Sequence, residues 1–252
     1  MNRAERLGGI LEQVAERGSV DVEDLVEALG VSPATVRRDL QTLHEQRLLE
    51  RTHGGAVAIN GLYELPLRYR GSLNREQKLE IARAAVAHVA DGATIALTGG
   101  TTTTEVGRML VQRQDLTVVT NAINIAAELA VRPNIRLIVS GGVARAASYE
   151  LVGPLADDTL AQLNVETAFI GVDGITAAAG LTTHREVEAR TNRMLVERAK
   201  RVIVVADGSK VGTAALARIC EIGRVHVLIT TADADAEELR TIAAAGVSVE
   251  AV

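Results

Sequence analysis

The N-terminal part of the chain carries hydrophobic residues at helical spacing, interrupted by glycines and by helix-capping residues. Two amphipathic helices are predicted from their apolar stripes, which are Leu7, Ile10, Leu11 and Val14 in one and Val22, Leu25, Val26 and Leu29 in the other. We expect Gly18 to end the first helix, Asp21 to cap the second and Gly30 to close it in a left-handed conformation. A third helix should therefore begin directly after a tight glycine turn.

The third helix has the pattern of a recognition helix in a helix-turn-helix. Ser32 can cap its first turn, and Pro33 stands at the first helical position, where its missing N–H costs nothing. The inward positions are Val36, Leu40 and Leu43, and the outward positions are Ala34, Arg38 and Gln41, flanked by Thr35 and Arg37. Small, hydroxyl and arginine side chains on one helix face can enter the major groove of DNA.

The segment after this helix is predicted to form a small hairpin, the wing of a winged helix. It runs from Thr52 to Val57, and Arg51 and His53 are placed to reach a phosphate or the minor groove. A small helical dimerisation domain would share the short helices and the arginine pair, but cap, turn, arginines and wing follow the order of a DNA-binding unit. The predicted DNA contacts are Ser32, Pro33, Thr35, Arg37, Arg38, Gln41, Arg51 and His53.

From Arg6 to Ala56 the chain resembles the DNA-binding domain of DeoR-type bacterial repressors. The matching pieces are Val31-Ser32, Thr35, Val36-Arg37-Arg38-Asp39-Leu40, Leu43 and His53-Gly54-Gly55-Ala56. The resemblance implies a winged helix-turn-helix domain, here residues 1–57, with a sugar-phosphate-sensing domain behind it.

The rest of the chain alternates between strand and helix patterns. Residues 58–74 have little periodicity, which predicts a linker with a short ordered piece at 65–69. Strands are predicted at 93–98, 116–120, 135–140, 166–172, 202–206, 225–230 and 247–250, and helices around 81–89 and at 102–113, 122–131, 154–163, 185–199 and 234–245. This alternation, with continuous apolar strands, favours an α/β domain over 75–252 whose mostly parallel sheet is covered on both faces.

Small and polar residues follow five of the predicted strands. Ligands of open parallel sheets bind beyond the carboxyl ends of the strands, and glycines before a helix let the backbone approach an anion. The candidate effector-binding residues are Gly99, Gly100, Thr101, Thr102, Thr103, Asn121, Gly141, Gly142, Asp173 and Lys210. Each also has an ordinary structural explanation, as a turn, a helix cap or a surface lysine. Their shared edge of one sheet favours a site for a small phosphorylated metabolite.

The same loops extend the resemblance over nearly the whole chain. The matching pieces are Lys78 with Ile81-Ala82, Gly100-Thr101-Thr102, Val118-Val119-Thr120-Asn121, Gly141-Gly142, Leu151-Val152-Gly153-Pro154, Phe169-Ile170-Gly171-Val172-Asp173-Gly174, Gly180-Leu181-Thr182-Thr183 and Ala206-Asp207-Gly208-Ser209-Lys210. The resemblance implies a fold similar to ribose-5-phosphate isomerase and glucosamine-6-phosphate deaminase, with phosphorylated sugars as ligands. Thr98 departs from the family pattern, because an acidic residue usually stands there; this favours a more anionic effector. His184 is a further possible ligand contact, or a surface loop histidine.

Composition and charge narrow the functional classes. The chain has a net charge of −5, and only residues 32–56, with four arginines against three acids, are locally positive, so we expect a modest salt dependence of DNA binding. Three tyrosines and one phenylalanine are too few for a platform that stacks single-stranded bases. One cysteine, Cys220, excludes a disulfide framework and is expected to be a buried small hydrophobe. No apolar run approaches the ~20 residues of a membrane span, and a cytoplasmic protein without cofactor or metal is expected.

Two functions from different classes remain at this point. The first is a transcriptional regulator, most simply a repressor of carbohydrate genes, that binds double-stranded operator DNA as a homodimer or homotetramer and responds to a phosphorylated sugar. The second is a sugar-phosphate isomerase or deaminase with Asp173 as base, Glu186 or Glu188 as its partner and Lys210 as electrophile. A winged helix serves no evident purpose in an enzyme, and no His–carboxylate pair at motif spacing suggests a proton relay, so the regulator is preferred.

Overall fold

The structure, a computed structural model, describes residues 2–59, 66–71 and 73–252. The chain divides into two compact units, Met1–Leu73 and Asn74–Val252. Of the predicted linker, residues 60–65 and 72 lie outside the described residues.

The described residues of the first unit form three helices, a small sheet and one additional helical turn. Its elements are α1 (Arg3–Arg17), β1 (Ser19–Asp21), α2 (Val22–Leu29), α3 (Pro33–Glu45), β2 (Glu50–Arg51), β3 (Gly55–Val57) and α4 (Leu67–Arg70). The predicted glycine endings are confirmed, since Gly18 and Gly30 have φ angles of 76° and 63°. Asp21 stands at the N-cap of α2, but its side chain makes no capping hydrogen bond.

The wing is present, and it belongs to a three-stranded sheet that the sequence patterns did not predict. β3 lies between β1 and β2 and pairs antiparallel with both. A Cβ on Gly55 would lie 1.9 Å from the carbonyl oxygen of Val20, so the close approach of β3 to β1 requires glycine there. The sequence patterns did not predict strand β1, because an alternation of polar and apolar residues cannot be recognised over three residues.

The core of the first unit holds the predicted apolar stripes and one residue of the predicted linker. Its most buried side chains include Ile10, Leu11, Leu25, Val36, Leu40, Leu43 and Leu49, each at most 2% exposed. Tyr69 of α4 is also buried in this core, and its hydroxyl donates a hydrogen bond to Gln46 at the end of α3. Residues 67–70 are therefore packed onto the first unit.

The second unit is an α/β structure. Its helices are α5 (Arg75–Ala87), α6 (Thr101–Met109), α7 (Ile123–Leu129), α8 (Pro154–Ala161), α9 (Glu186–Arg198) and α10 (Ala236–Ala244), with single 3-10 turns at Leu110–Gln112, Gly208–Lys210 and Ile222–Arg224. Its strands are β4 (Thr94–Leu97), β5 (Leu116–Thr120), β6 (Ile135–Val139), β7 (Val143–Ala144), β8 (Leu151–Val152), β9 (Val165–Ile170), β10 (Gly174–Thr176), β11 (Gly180–Thr183), β12 (Ala199–Val205), β13 (Ala217–Cys220), β14 (Val227–Thr230) and β15 (Ser248–Ala251).

Seven of these strands form one parallel sheet, in the order β15-β14-β12-β9-β4-β5-β6. Along β4, Ile95 and Leu97 belong to one hydrophobic cluster and Ala96 to another, as expected when successive side chains alternate between the two faces. Both faces are therefore buried, which confirms the predicted parallel sheet. Because all seven strands are parallel, their carboxyl ends meet at one edge, which we call the carboxyl edge.

Two smaller antiparallel pieces were not predicted. β7 and β8 form a hairpin between β6 and α8, and β10, β11 and β13 form a second sheet. Their strands are two to four residues long, too short for a recognisable pattern.

The prediction that Cys220 is buried is wrong, because its side chain is partly exposed. The residue is only half-buried and lines an open cavity of about 510 Å³ together with Arg193, Arg218 and Arg224. Partial burial raises the pKa of its thiol to about 11, against the opposing effect of these three arginines. In the part of the chain that the structure describes, no helix combines the length and hydrophobicity needed to cross a lipid bilayer.

Candidate functional site

Helix α3 is anchored at its N-terminus and along its buried face. The Ser32 hydroxyl accepts a hydrogen bond from the backbone N–H of Thr35 (3.2 Å), and Pro33 occupies the first turn, as predicted. Val36, Leu40 and Leu43 are fully buried. These contacts hold the helix while its opposite face remains exposed to solvent.

An ion pair that the sequence analysis missed ties α3 to α1. The carboxylate of Asp39, which is 2% exposed, accepts from Arg6 at both oxygens: Nε to Oδ2 is 2.5 Å and Nη2 to Oδ1 is 3.2 Å. The hydrogen bond to Asp39 raises the pKa of Arg6 above its ordinary value. A fork-like arginine–carboxylate pair restricts orientation as well as distance, so it sets how α3 sits on α1.

The exposed face of α3 presents two arginines. Within the described part of the chain, the side chains of Arg37 and Arg38 have no hydrogen-bond or ion-pair partner, and both residues are exposed. Gln41 instead accepts from Arg51 Nη1 (2.7 Å) and donates to Glu45 (2.8 Å), which links the recognition helix to the wing.

The other predicted DNA contacts differ in their exposure and in whether their side chains already form hydrogen bonds. Pro33 and His53 are exposed. The hydroxyl of Ser32 is engaged at the cap with Thr35, whose Oγ1 lies 2.9 Å from it. The local cap of α3 therefore already engages Ser32 and Thr35, and a contact between α3 and the wing engages Gln41 and Arg51.

The predicted effector-binding loops meet at the carboxyl edge. The loop after β4 contacts the loop after β9, because the N–H of Gly171 donates to Thr98 Oγ1 (2.9 Å). The loop after β12 reaches the same region: Thr213 donates to the carbonyl of Asp173 at 3.5 Å. Thr98 itself is fully buried, and its hydroxyl group links the two loops.

The start of α6 offers a cluster of backbone donors. Gly100 is its N-cap residue, with a φ of 133° that favours glycine. In the described structure, no acceptor reaches the backbone N–H groups of Thr101, Thr102 and Thr103. These groups are the free donors of a helix N-terminus, which favour an anion.

A buried carboxyl group, Glu150, lies directly against this loop. Its Oε1 accepts from the N–H of Gly99 (3.0 Å), from Asn192 Nδ2 (3.2 Å) and, more weakly, from Asn121 Nδ2 (3.4 Å). Asn121 is also predicted as a site residue; it is completely buried and does not cap α7, whose N-cap is Ala122. No sequence pattern pointed to Glu150 or Asn192, because they come from the β7–β8 hairpin and α9.

A second buried carboxylate, Glu188 of α9, is held beside Glu150. Its Oε1 lies 2.9 Å from Arg145 Nε and accepts from Ser148 Oγ (2.5 Å). Burial, the charge of Glu188 and a hydrogen bond shared with it raise the pKa of Glu150 to about 8, against the lowering effect of Asn192 and Gly99. The two carboxyl groups therefore share a low-dielectric site at the carboxyl edge.

Asp173 and Lys210 lie on neighbouring loops. Asp173 Oδ2 accepts from Thr183 Oγ1 (2.8 Å) and from the N–H of His184 (3.2 Å), while the His184 ring lies 4.0 Å from Oδ1. Lys210 is half-exposed, and none of the described residues pairs with its ammonium group. Its charge is therefore available to an anion at this edge.

The two predicted glycines after β6 have a structural role. Gly142 has a φ of 115°, and a Cβ on it would lie 2.8 Å from the Val152 carbonyl oxygen. Gly141, with a φ of 70°, faces open space. Together they let the chain turn from β6 into the β7–β8 hairpin, and this hairpin places Glu150 at the carboxyl edge. Among the residues described, no group of three His, Cys, Asp or Glu side chains is arranged to hold a metal ion.

The architecture, a winged helix-turn-helix and an α/β unit with polar loops at one sheet edge, is that of a transcriptional regulator. Residues 6–61 match the family described as DeoR-like helix-turn-helix domain, and residues 73–232 match the DeoR C terminal sensor domain. The chain belongs to the DeoR family of transcriptional regulators, as its sequence motifs predicted.

Several relatives are similar to the chain over nearly its whole length. A putative aga operon transcriptional repressor of Escherichia coli O157:H7 is 34% identical, covering 98% of this chain and 93% of the relative. The regulator GlpR of Haloferax volcanii is 36% identical (98% and 96%), and the glycerol-3-phosphate regulon repressor of Escherichia coli K12 is 34% identical (92% and 92%). Among solved structures, ribose 5-phosphate isomerase A of Methanocaldococcus jannaschii is a distant likeness, with a TM-score of 0.41 and 22% identity over 54% of each chain.

Proposed function

We propose that this protein represses carbohydrate genes by binding double-stranded operator DNA, and that a phosphorylated sugar or related anion releases it. The observation that carries the DNA half is the pair Arg37 and Arg38, exposed and unpartnered on a helix that a cap and a buried ion pair hold rigidly. The names of the relatives support the repressor sense.

On DNA, α3 would lie in the major groove. An arginine there can donate two hydrogen bonds to one guanine, and an arginine toward the flank can contact phosphate. Two subunits of a homodimer, or pairs within a homotetramer, would read half-sites about 34 Å apart. Arg51 and His53 of the wing would add backbone or minor-groove contacts.

The effector would bind at the carboxyl edge. The free N–H groups of Thr101–Thr103 and the ammonium group of Lys210 are suited to a phosphate, and the neighbouring amides and carboxyl groups are suited to hydroxyl groups. The further predicted contacts are Gly99, Gly100, Asn121, Gly141, Gly142 and Asp173. The effector can release DNA only if it binds one arrangement of the DNA-binding units more tightly than the other.

A binding titration tests both halves together. Fluorescence anisotropy of the full chain with DNA from upstream of its own gene, at low ionic strength and without effector, should show specific binding, and added sugar phosphates should weaken it. Absence of specific binding to that DNA would contradict the proposal.

The Lys210→Ala variant tests the effector half separately. We expect it to bind a phosphorylated effector roughly 10- to 100-fold more weakly, because a charge-assisted contact is lost. Effector-free DNA binding should be unchanged. Calorimetry measures the first quantity and anisotropy the second. Lys200→Ala, which removes an exposed lysine of β12, is the matched control. An unchanged effector affinity in Lys210→Ala would remove Lys210 from the site.

We infer that the site binds rather than converts its ligand. The family consists of regulators, Glu186 is exposed, and Glu188 is committed to Arg145 and Ser148. Incubation with pentose and hexose phosphates should return them unchanged. Sustained turnover would instead support the isomerase or deaminase alternative.

A further inference from the structure

We propose that Asn121, held in place by Glu150, recognises a hydroxyl group of the effector at the carboxyl edge, and that Gly99 makes room for Glu150. The proposal rests on the proposed function of this edge and names the residues that would recognise a hydroxyl group of its ligand.

The first observation is the contact between Gly99 and Glu150. A Cβ on residue 99 would lie 2.3 Å from Glu150 Cγ and 2.7 Å from its Cδ, so no larger residue fits while Glu150 holds this position. The φ angle of Gly99 is not in the left-handed region, so backbone conformation does not require glycine there. Residue 99 must be glycine because a larger side chain would collide with the carboxyl group of Glu150.

The second observation is an unsatisfied polar atom beside that group. Asn121 is completely buried, and its Oδ1 has no hydrogen-bond partner in the described structure, although its Nδ2 donates to Glu150 and Asn192. A buried acceptor without a donor is rare and calls for a bound donor. The loop that carries this atom follows β5, next in the sheet to the strand that leads into α6.

The third observation concerns the two oxygens of Glu150. Oε1 accepts three hydrogen bonds, whereas no donor within the described ranges reaches Oε2. The proton of the neutral acid therefore belongs in the hydrogen bond that Glu150 shares with Glu188. The acceptor left free for a ligand hydroxyl group is Asn121 Oδ1, and Glu150 holds that amide in place by accepting from its Nδ2 group.

The surroundings explain why the acid stays neutral. Glu188 of α9 brings its charge next to Glu150, and Arg145 and Ser148 hold the Glu188 side chain in that position. Asp173 and His184 are more remote and are connected to Glu188 through Thr183. With a pKa of about 8, Glu150 is mostly protonated at neutral pH, so it adds no second negative charge beside Gly99 and the start of α6.

Matched pairs of ligands test the recognition of a hydroxyl group. The probes are glycerol 3-phosphate against propyl phosphate and sorbitol 6-phosphate against hexyl phosphate, measured by calorimetry with the full chain at pH 7. Wild type should prefer the hydroxylated member of at least one pair. Glu150→Gln, which keeps one donor and one acceptor, should retain that preference, and Glu150→Ala should reduce it about tenfold. Glu166→Gln, an exposed carboxylate of β9, is the control.

The pH dependence tests the state of the acid. Ionisation of Glu150 should lower wild-type affinity for the preferred ester roughly tenfold between pH 7 and pH 9, as one linked proton requires. Glu150→Gln, compared at each pH so that titration of the phosphate cancels, should not show this loss. Equal pH profiles, or an unchanged preference in Glu150→Ala, would overturn this inference alone. Failure of all four probes to bind would overturn the proposed function and this inference with it.

A pair of substitutions tests the steric part without any ligand. Gly99→Ala should lower the unfolding temperature of the full chain, because the new methyl group collides with Glu150. Adding Glu150→Ala should restore much of that loss, since the obstacle is gone. If the two substitutions instead have additive effects, Gly99 does not serve to admit Glu150.

Discussion

The Arg38→Ala variant is expected to lose operator binding almost completely while it keeps its fold and its effector affinity. One arginine contact to a base edge contributes about 1–3 kcal/mol. A dimer uses the residue twice, so the loss is about 2–6 kcal/mol, or roughly 30-fold to 25,000-fold in affinity. No described residue depends on the Arg38 side chain for a hydrogen bond or an ion pair, so stability should be unaffected.

Anisotropy titrations at two or more salt concentrations measure this effect and its origin. If Arg38 reads a base, discrimination between operator and unrelated DNA should fall while the salt dependence stays the same. If it contacts phosphate, the slope of log affinity against log salt should fall by about one per contact. Arg17→Ala, which removes an exposed arginine from the last turn of α1, is the control. Wild-type affinity in Arg38→Ala would show that α3 does not read DNA through this residue.

The Asp39→Ala variant is expected to destabilise the DNA-binding unit more than any surface change would. It leaves the Arg6 guanidinium, 14% exposed, without its carboxylate. Removing one partner of a buried ion pair costs about 3–5 kcal/mol; partial exposure of Arg6 places this case near 3 kcal/mol. Amide hydrogens of α1 and α3 should then exchange about 100-fold faster in the full chain, as mass spectrometry can measure.

A double replacement separates the charge from the packing. In Arg6→Met with Asp39→Leu, both charges are gone and apolar side chains fill the space, so exchange should return close to the wild-type rate. Unchanged exchange in Asp39→Ala would show that the pair does not hold α3 on α1. Slow exchange together with lost DNA binding would instead mean that Asp39 acts on the angle of the helix.

The recognition helix shows which features of a sequence are predictive. Ser32, Pro33 and the inward stripe of Val36, Leu40 and Leu43 act within one helix and its own cap, so local spacing was enough to place them. The ion pair between Arg6 and Asp39 joins residues 33 positions apart, and an aspartate inside a helix looks the same in sequence whether it is buried or solvated.

The carboxyl edge shows the same difference between features that follow from local sequence and features that depend on tertiary contacts. The predicted loops occur at the ends of parallel strands, and parallel strands necessarily bring those ends to one edge. The sequence identified an acid as missing at Thr98, but it did not show that Glu150 supplies a carboxyl group beside the next residue, Gly99. The short strands β7 and β8 carry it there, and no periodicity marks strands of two residues.

For this protein, the sequence alone determined the helix-turn-helix, the parallel sheet, the family and the loops that meet at the carboxyl edge, because each depends on neighbours within one element or on one repeated pattern. Tertiary structure decided which side chains are already engaged, which remain free for DNA, and that Glu150, Asn121 and Glu188 share one buried place. The physical reason is that burial and charge are set by residues distant in sequence, and the state of a carboxyl group depends on those surroundings rather than on its own identity.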